Sequence, residues 1–190
     1  MKNNMEVISG LLDLQARSSG NLELIEMLNK SLSRIRSMAL VHEQIHASKD
    51  LAKINMVGYV RALSQELFQA YEIDPGKIDL IVQADNDFYV NINQAIPCGL
   101  ILNELVSNAF KHAFPAAEPG ELRIIIRETK NKEIEIVVRD NGLGLPDDVD
   151  INQPRSMGLY LVNGLVKKQL EGQIEVRRDN GTEFRIKFPL

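Results

Sequence analysis

The hydrophobic pattern of the first fifty residues predicts two helices. Residues 2–18 form the first, a Ser-Ser-Gly-Asn break follows, and Asn21 is suited to cap a second helix over roughly residues 22–47. Apolar positions in the second helix recur at alternating spacings of three and four, which is a heptad seam. The seam comprises Ile25, Leu28, Leu32, Ile35 and Ala39, and the same register continues through His42 and His46.

Two helices joined by a short turn bury too little apolar surface to be stable alone. Pairing with a second copy makes a four-helix bundle, so the seam predicts a homodimer. The alternative is that the seam packs against the rest of its own chain. A polar stretch near residues 48–50 suggests a boundary, with a helical hairpin over residues 1–49 and a second domain over residues 50–190.

The second domain alternates between helical and strand patterns. Helices are predicted over residues 56–71, from a cap at Asn93 to about Phe114, and over residues 158–170. Strands are predicted at residues 78–83, 88–92, 121–128, 133–139, 173–178 and 182–188. Apolar residues alternate cleanly along the central strands, so one sheet face is buried. The pattern predicts an α+β sandwich whose helices lie largely on one face of the sheet.

Composition narrows the functional classes. The chain has 190 residues, of which 44% are hydrophobic and 25% are charged, as expected for a folded protein. Its net charge is −4 and no basic run stands out, which argues against nucleic acid as a partner. The single Cys98 is expected to be a buried, inert thiol. No apolar run approaches the roughly 18 residues of a membrane span, and no signal peptide is recognisable, so a cytoplasmic chain without a membrane segment is expected.

Candidate chemistry lies in four motifs in a fixed order. They are Asn-Glu-Leu-Val-Ser-Asn-Ala at residues 103–109, Asp-Asn-Gly-Leu-Gly at 140–144, Ser-Met-Gly-Leu at 156–159 and Gly-Thr-Glu-Phe at 181–184. Each motif alone is weak evidence, because amphipathic helices and Asp-Asn-Gly turns are common.

The first motif predicts a phosphate-handling helix face. Glu104 and Asn108 lie four residues apart on one helix, so they share a face. The amide oxygen of Asn108 is a hard ligand suited to Mg²⁺, and Glu104 is placed to accept a proton or orient a water. Lys111 and His112 follow on the same helix, where Lys111 is suited to meet phosphate. The alternative is an ordinary amphipathic helix with a polar stripe.

The second motif predicts an adenine anchor. A carboxylate accepts hydrogen bonds only, so Asp140 can bind the exocyclic amino group of adenine and discriminate against guanine. Gly142 and Gly144 allow the backbone to approach the base closely. The polar segment 141–157 is long for a loop in a compact domain and predicts a lid that orders over nucleotide.

The last two motifs complete the predicted site. Gly158 and Leu159 open a helix whose N-terminal N–H groups favour phosphate, and Arg155 and Ser156 precede it with a charge and a hydroxyl. Thr182 begins a strand near the base. Arg155 could equally be a solvated surface charge, and Thr182 an ordinary strand threonine.

Together the four motifs resemble the N, G1, G2 and G3 boxes of the GHKL superfamily, the gyrase, Hsp90, histidine kinase and MutL ATPases. The resemblance implies a Bergerat-type α/β sandwich that binds ATP and Mg²⁺, with Asn108 on the metal and Asp140 on adenine. The Lys-Asn-Asn run at residues 2–4 and the segment 33–43 are similar to the dimerisation and phosphoacceptor hairpin of a sensor histidine kinase subfamily.

This resemblance implies phosphoryl transfer from ATP to a histidine, assisted by Glu104 and Lys111, and then to an aspartate of a response regulator receiver domain. The family's accepting histidine would lie two positions before Met1, so the hypothesis is a catalytic core truncated just after its phosphosite. Met157 and Tyr160 also depart from the more glycine-rich G2 run of the family. The alternatives are a serine kinase of the anti-sigma-factor type and a catalytically silent dimeric docking or phosphotransfer module.

Overall fold

A computed structural model describes residues 2–47, 53–115, 119–154 and 156–190. The chain opens with two helices, α1 (Lys2–Ser18) and α2 (Leu22–Ala47), which pack against each other as the predicted hairpin. The Asn21 side-chain oxygen accepts hydrogen bonds from the backbone N–H groups of Glu23 (2.9 Å) and Leu24 (3.2 Å). Asn21 is therefore confirmed as the N-cap of α2. No helix in the described ranges combines the length and apolar character that a membrane crossing requires.

The described residues after α2 form a five-stranded mixed sheet, a two-stranded sheet, three further α-helices and a π-helical segment. The elements are β1 (Ile54–Asn55), α3 (Met56–Ala70), β2 (Ile78–Ala84), β3 (Tyr89–Val90), α4 (Ile92–His112), β4 (Gly120–Glu128), β5 (Glu133–Asp140), α5 (Met157–Gly164), β6 (Gln173–Arg177) and β7 (Glu183–Pro189). Five strands follow the order β2-β4-β5-β7-β6, with β2 parallel to β4 and the other neighbours antiparallel. The predicted α+β class is confirmed.

Three details of the predicted elements were wrong. Asn91, not Asn93, caps α4: its side chain accepts a hydrogen bond from the Gln94 N–H (3.1 Å), and the Gln94 side chain accepts one from the Asn91 N–H (3.4 Å). The strand predicted over residues 88–92 is also shorter than expected: β3 has only two residues before the cap, and it pairs with β1 instead of the main sheet. The predicted helix 158–170 divides into α5 and a π-helical segment, Leu165–Gln169.

The core lies between the helices and one face of the sheet. Alternate residues of the three central strands are buried there, as the sequence pattern predicts: Leu122, Ile124, Ile126, Ile134, Ile136, Val138, Phe184, Ile186 and Phe188. Cys98 on α4 is fully buried, and burial raises the pKa of its thiol above the usual range. A neutral, inaccessible thiol of this kind is unreactive.

Helix α2 also packs against α3 and α4. Val41 belongs to the buried core, and the Tyr59 hydroxyl of α3 donates a hydrogen bond to the Ser37 carbonyl oxygen (3.1 Å). Gly99 of α4 makes room for that hydroxyl, because a Cβ at this position would lie 1.7 Å from it. The hairpin is therefore packed against the rest of the chain through its second helix. The predicted boundary near residues 48–50 falls outside the described residues.

The face of the sheet away from the helices carries a network of charges. Glu135 is only 2% exposed, and it accepts hydrogen bonds from Nε of Arg127 (2.7 Å) and from Arg185 (2.9 Å). Burial raises the pKa of the Glu135 carboxyl, but the two arginines outweigh burial, so the pKa is lowered overall. A lowered pKa in the folded state stabilises the fold above the unfolded-state pKa, and this contribution is lost as the pH falls through the folded-state value.

We therefore expect Glu135→Gln to lower the free energy of unfolding at pH 7 by about 1–2 kcal/mol. The variant should also lose less stability than the wild type between pH 5 and pH 3, because it lacks the titrating carboxylate. Urea unfolding across this pH range measures both effects. Glu128→Gln, which removes an exposed carboxylate from the end of β4, is the control. If the free energy of unfolding fell equally for Glu135→Gln and the wild type between pH 5 and pH 3, the lowered pKa assigned to Glu135 would be contradicted.

Candidate nucleotide-binding site

A cleft of about 1250 Å³ lies between α2, α4, the segment after β5 and the start of α5. Most of the residues predicted from the motifs line it: Glu104, Asn108, His112, Asp140, Gly144, Ser156, Gly158, Leu159 and Thr182. The four motifs are spread over eighty residues of sequence, and the fold brings them to one surface.

One end of the cleft presents the carboxylate of Asp140. This residue ends β5 and is 7% exposed. Its Oδ1 accepts hydrogen bonds from the backbone N–H groups of Gly142 (3.0 Å) and Thr182 (3.1 Å). No donor among the described residues contacts Oδ2, so one oxygen is fixed by the protein and the other remains available to a ligand.

The backbone and an apolar surface support this anchor. Gly181 adopts a positive φ of 107°, and a Cβ there would lie 2.1 Å from the Asp140 carbonyl oxygen. Only glycine allows this close approach, which brings the Thr182 N–H to the carboxylate. Val138 and Phe184 are paired across β5 and β7 and line the same end of the cleft. A flat apolar base with an exocyclic amino group fits this combination of surface and acceptor.

The other end of the cleft is formed by α4 and the start of α5. Glu104 is 6% exposed, and its Oε1 accepts a hydrogen bond from Nε of Arg34 on α2 (2.7 Å). A Cβ at position 158 would lie 2.6 Å from Glu104 Oε2 and 4.0 Å from the Asn108 side-chain nitrogen. Gly158 thus lets the first turn of α5 approach the two polar groups of α4 closely.

The first turn of α5 has N–H groups available for an anion. Ser156 is its N-cap, and the hydroxyl accepts a hydrogen bond from the Leu159 N–H (3.4 Å). The remaining N–H groups of the first turn have no partner within the helix, and the helix dipole favours negative charge there. Phosphate groups are typical ligands of such a helix terminus.

Known protein families match both parts of this chain. A family model described as "Histidine kinase-, DNA gyrase B-, and HSP90-like ATPase" matches residues 93–190, slightly more than half of the chain. The chain belongs to this ATPase family. A second model, described as "Histidine kinase", matches residues 1–71. The two matches together identify a histidine kinase catalytic core of the GHKL superfamily.

Individual relatives are sensor histidine kinases. The chain is 32% identical over 194 residues to the sensor histidine kinase PdtaS of Mycobacterium tuberculosis, and it is 26% identical over 196 residues to the blue-light-activated histidine kinase 2 of Erythrobacter litoralis. Both alignments cover the whole chain, which spans 38% and 55% of the length of these relatives. The solved histidine kinase domain of the blue-light-activated kinase EL346 from Erythrobacter litoralis shares the fold, with a TM-score of 0.77 and 24% identity over 98% of this chain and 85% of that one.

Two of the predicted residues that the structure describes, Gly142 and Lys111, do not line the cleft. Gly142 supports the wall by donating its N–H to Asp140. Lys111 pairs with Glu26 of α2 (Nζ to Oε1, 3.1 Å) and lies 5.7 Å from the centre of the Tyr71 ring. Arg155 falls outside the described residues. A phosphate contact for Lys111 would require it to leave Glu26, and it stays a prediction.

The segment after β5 is packed against the domain, not loose. Ile151 is buried in the core, and Arg178 donates a hydrogen bond to the Val149 carbonyl oxygen (2.6 Å). Lys167 donates a hydrogen bond to the side chain of Asn152 (3.0 Å). These contacts fix one arrangement of the predicted lid. Its closure over nucleotide stays a prediction.

Sequence reasoning missed the contribution of α2 to the cleft. Met27, Lys30, Ser31 and Arg34 form one wall of it. Next to them, the Asn103 side chain donates hydrogen bonds to the Ser33 hydroxyl (2.7 Å) and the Ser37 hydroxyl (2.8 Å). The sequence did contain a sign of this polar face. Lys30 and Arg34 are four residues apart, as are Ser33 and Ser37, so each pair lies on one side of the helix beside the heptad seam. The interpretation of α2 as a hydrophobic seam left this polar face without a role.

Proposed function

We propose that this chain is the catalytic core that transfers the γ-phosphoryl group of ATP to a histidine, and that the group then passes to an aspartate of a response regulator receiver domain. One observation carries the proposal. The cleft has a fixed carboxylate with a free acceptor oxygen at one end, and a buried carboxylate beside an amide and a helix N-terminus at the other.

The two ends set the orientation of ATP. The adenine amino group donates to Oδ2 of Asp140 at the apolar end, with Thr182 beside the base. The phosphates then extend along the cleft towards Asn108, His112 and the first turn of α5 at Gly158 and Leu159, with Gly144 in the wall between. A triphosphate in this orientation places its γ-phosphate near Glu104.

The residues present fit a magnesium ion held jointly with phosphate. The described residues contain no cluster of three or more His, Cys, Asp or Glu side chains that could hold a metal alone. Mg²⁺ nucleotide sites need few protein ligands, because phosphate oxygens and water supply the rest. Asn108 lines the cleft and offers a suitable amide oxygen. When bound, Mg²⁺ would neutralise phosphate charge during transfer.

Glu104 is the residue we assign to proton acceptance. Its carboxylate is buried and faces the phosphate end of the cleft, where it can take the proton of an incoming imidazole. Lys111 lies one turn beyond Asn108 on the same helix. It adds positive charge at the phosphates if it leaves its ion pair with Glu26 and binds phosphate instead. Positioning and electrostatic stabilisation supply most of the catalysis in phosphoryl transfer.

The hairpin supports a homodimer. Large apolar side chains outside the cleft remain exposed along α1 and at the start of α2, namely Val7, Ile8, Leu11, Leu14, Leu22 and Leu24. An exposed apolar surface of this kind marks an interface. None of these residues is a seam position, and Leu32 of the seam is buried within the chain. The exposed apolar surface beside the seam, and not the seam itself, therefore supports our proposal of a dimer. We place this chemistry in the cytoplasm, where ATP is available.

The competing functions differ in their acceptor. A serine kinase of the anti-sigma-factor type would share the ATP cleft, but the match of residues 1–71 to a histidine kinase model supports the histidine acceptor. A silent docking module would have no use for the free Oδ2 of Asp140 or for the approach of Gly158 to Glu104.

Phosphorylation of an extended chain tests the proposal. The resemblance places the acceptor two positions before Met1, so the chain is prepared with and without His-Arg added at that point. Incubation with Mg²⁺ and γ-labelled ATP should label only the extended chain, with an acid-labile, alkali-stable bond. An acid-stable, alkali-labile label would indicate serine, and binding of nucleotide without any label would indicate the docking module.

A further inference from the structure

Arg34 reaches the phosphate end of the cleft from outside the ATP-binding domain. It lies on α2, seventy residues before its partner Glu104, and its side chain is 21% exposed. The ion pair joins Nε of Arg34 to Oε1 of Glu104 at 2.7 Å. The hairpin therefore contributes a cation directly beside the carboxylate that we assign to proton acceptance.

Most of the hydrogen-bonding capacity of this guanidinium is unused. Arginine carries five N–H donors in a planar fork. Only the Nε group has an acceptor within the described part of the chain, and Arg34 is one of the residues that line the cleft. The Nη donors are therefore available to a ligand that enters the cleft.

The Glu104 carboxylate lies where two anion-binding features meet. Oε1 faces Arg34, and Oε2 lies beside the first turn of the eight-residue helix α5, 2.6 Å from the position of a Cβ on Gly158. Helix N-termini and guanidinium groups both favour phosphate, and a guanidinium binds phosphate through two parallel hydrogen bonds. A side-chain anion thus holds the place that the terminal phosphate of a nucleotide would take.

We propose that Arg34 binds the γ-phosphate of ATP, exchanging its contact with Glu104 for a phosphate oxygen. This inference rests on the proposed function, because it needs ATP in the cleft with its adenine at Asp140. The exchange releases Glu104 to accept the proton of the histidine. It also makes the contact between α2 and α4 sensitive to the third phosphate, so the hairpin distinguishes ATP from ADP.

The test compares the dissociation constants of a non-hydrolysable ATP analogue and of ADP, both with Mg²⁺, by calorimetry. Arg34→Ala should weaken binding of the ATP analogue by about tenfold and that of ADP by less than about twofold. Arg34→Lys keeps the positive charge but loses the planar guanidinium, so its affinity for the ATP analogue should lie between those of the wild type and Arg34→Ala. Arg36→Ala removes an exposed arginine from the same helix outside the cleft and should change neither constant.

Other outcomes overturn the inference. Equal weakening of both nucleotides would show that Arg34 only supports the packing of α2 on α4. Tighter binding of the ATP analogue by Arg34→Ala would show that Arg34 merely holds Glu104 in the cleft. If Arg34→Ala unfolds, Arg34→Gln retains the stem of the side chain and replaces it in the comparison. If wild-type protein binds neither nucleotide, the proposed function itself fails.

Discussion

Glu104→Gln is expected to slow phosphoryl transfer to an acceptor histidine by about 10²- to 10⁴-fold, the usual contribution of a positioned general base. Glutamine has the shape of glutamate and can still accept a hydrogen bond from Arg34, so the packing of α4 should be retained. Its amide cannot take a proton from the imidazole. Single-turnover transfer to the histidine-extended chain measures this loss.

Nucleotide binding should respond differently from transfer. Glu104 is a buried anion at the end of the cleft that receives the phosphates. Removing its charge relieves repulsion and weakens the contact that holds Arg34, so the affinity for Mg²⁺–ATP should be retained or increased. Asn108→Ala is the contrasting variant, since loss of the magnesium ligand should weaken nucleotide binding as well as transfer. An unchanged transfer rate in Glu104→Gln would remove Glu104 from its assigned role.

The helices and strands could be predicted from local sequence patterns, because the burial of one face of an element places apolar residues at regular positions along it. β4 and β5 alternate between a buried and a wet face, so their bounds agree with the predicted strands within one residue. The cap of α4 was misplaced because Asn91 and Asn93 are equally good caps by residue type. The reciprocal hydrogen bonds with Gln94, which depend on side-chain geometry, distinguish Asn91 from Asn93.

The residues of the candidate site also fall into those that the sequence could predict and those that it could not. Asp140, Asn108 and Gly158 belong to short motifs that are weak evidence singly, and the fixed order of the motifs let the sequence propose roles for them. The ion pairs of Arg34 with Glu104 and of Glu26 with Lys111 join residues that are 70 and 85 positions apart. Such contacts depend on how α2 docks against α4, and a periodic pattern in one helix carries no information about its docking partner. The contribution of the hairpin to the cleft could therefore be recognised only from the three-dimensional fold.

Asp140→Asn is expected to reduce affinity for ATP by about 100-fold, because a hydrogen-bonding site that mismatches its substrate rejects it strongly. The amide oxygen can still accept the N–H groups of Gly142 and Thr182, which now contact Oδ1. The amide nitrogen then replaces Oδ2 and presents a donor to the adenine amino group, which is itself a donor. Guanine has a carbonyl oxygen at that position, so the preference for ATP over GTP should be lost or reversed.

Thermal unfolding with Mg²⁺ and non-hydrolysable ATP or GTP analogues measures this change. A ligand at about a hundred times its dissociation constant stabilises the fold by roughly 2.7 kcal/mol, so the wild type should show a clear rise in Tm with the ATP analogue that Asp140→Asn lacks. Without ligand, Asp140→Asn should retain its Tm, whereas Asp140→Ala should lose stability because two backbone N–H groups lose their acceptor. Equal shifts with the ATP analogue for wild type and Asp140→Asn would mean that the base is held elsewhere, and the orientation of ATP from Asp140 towards Glu104 would have to be abandoned.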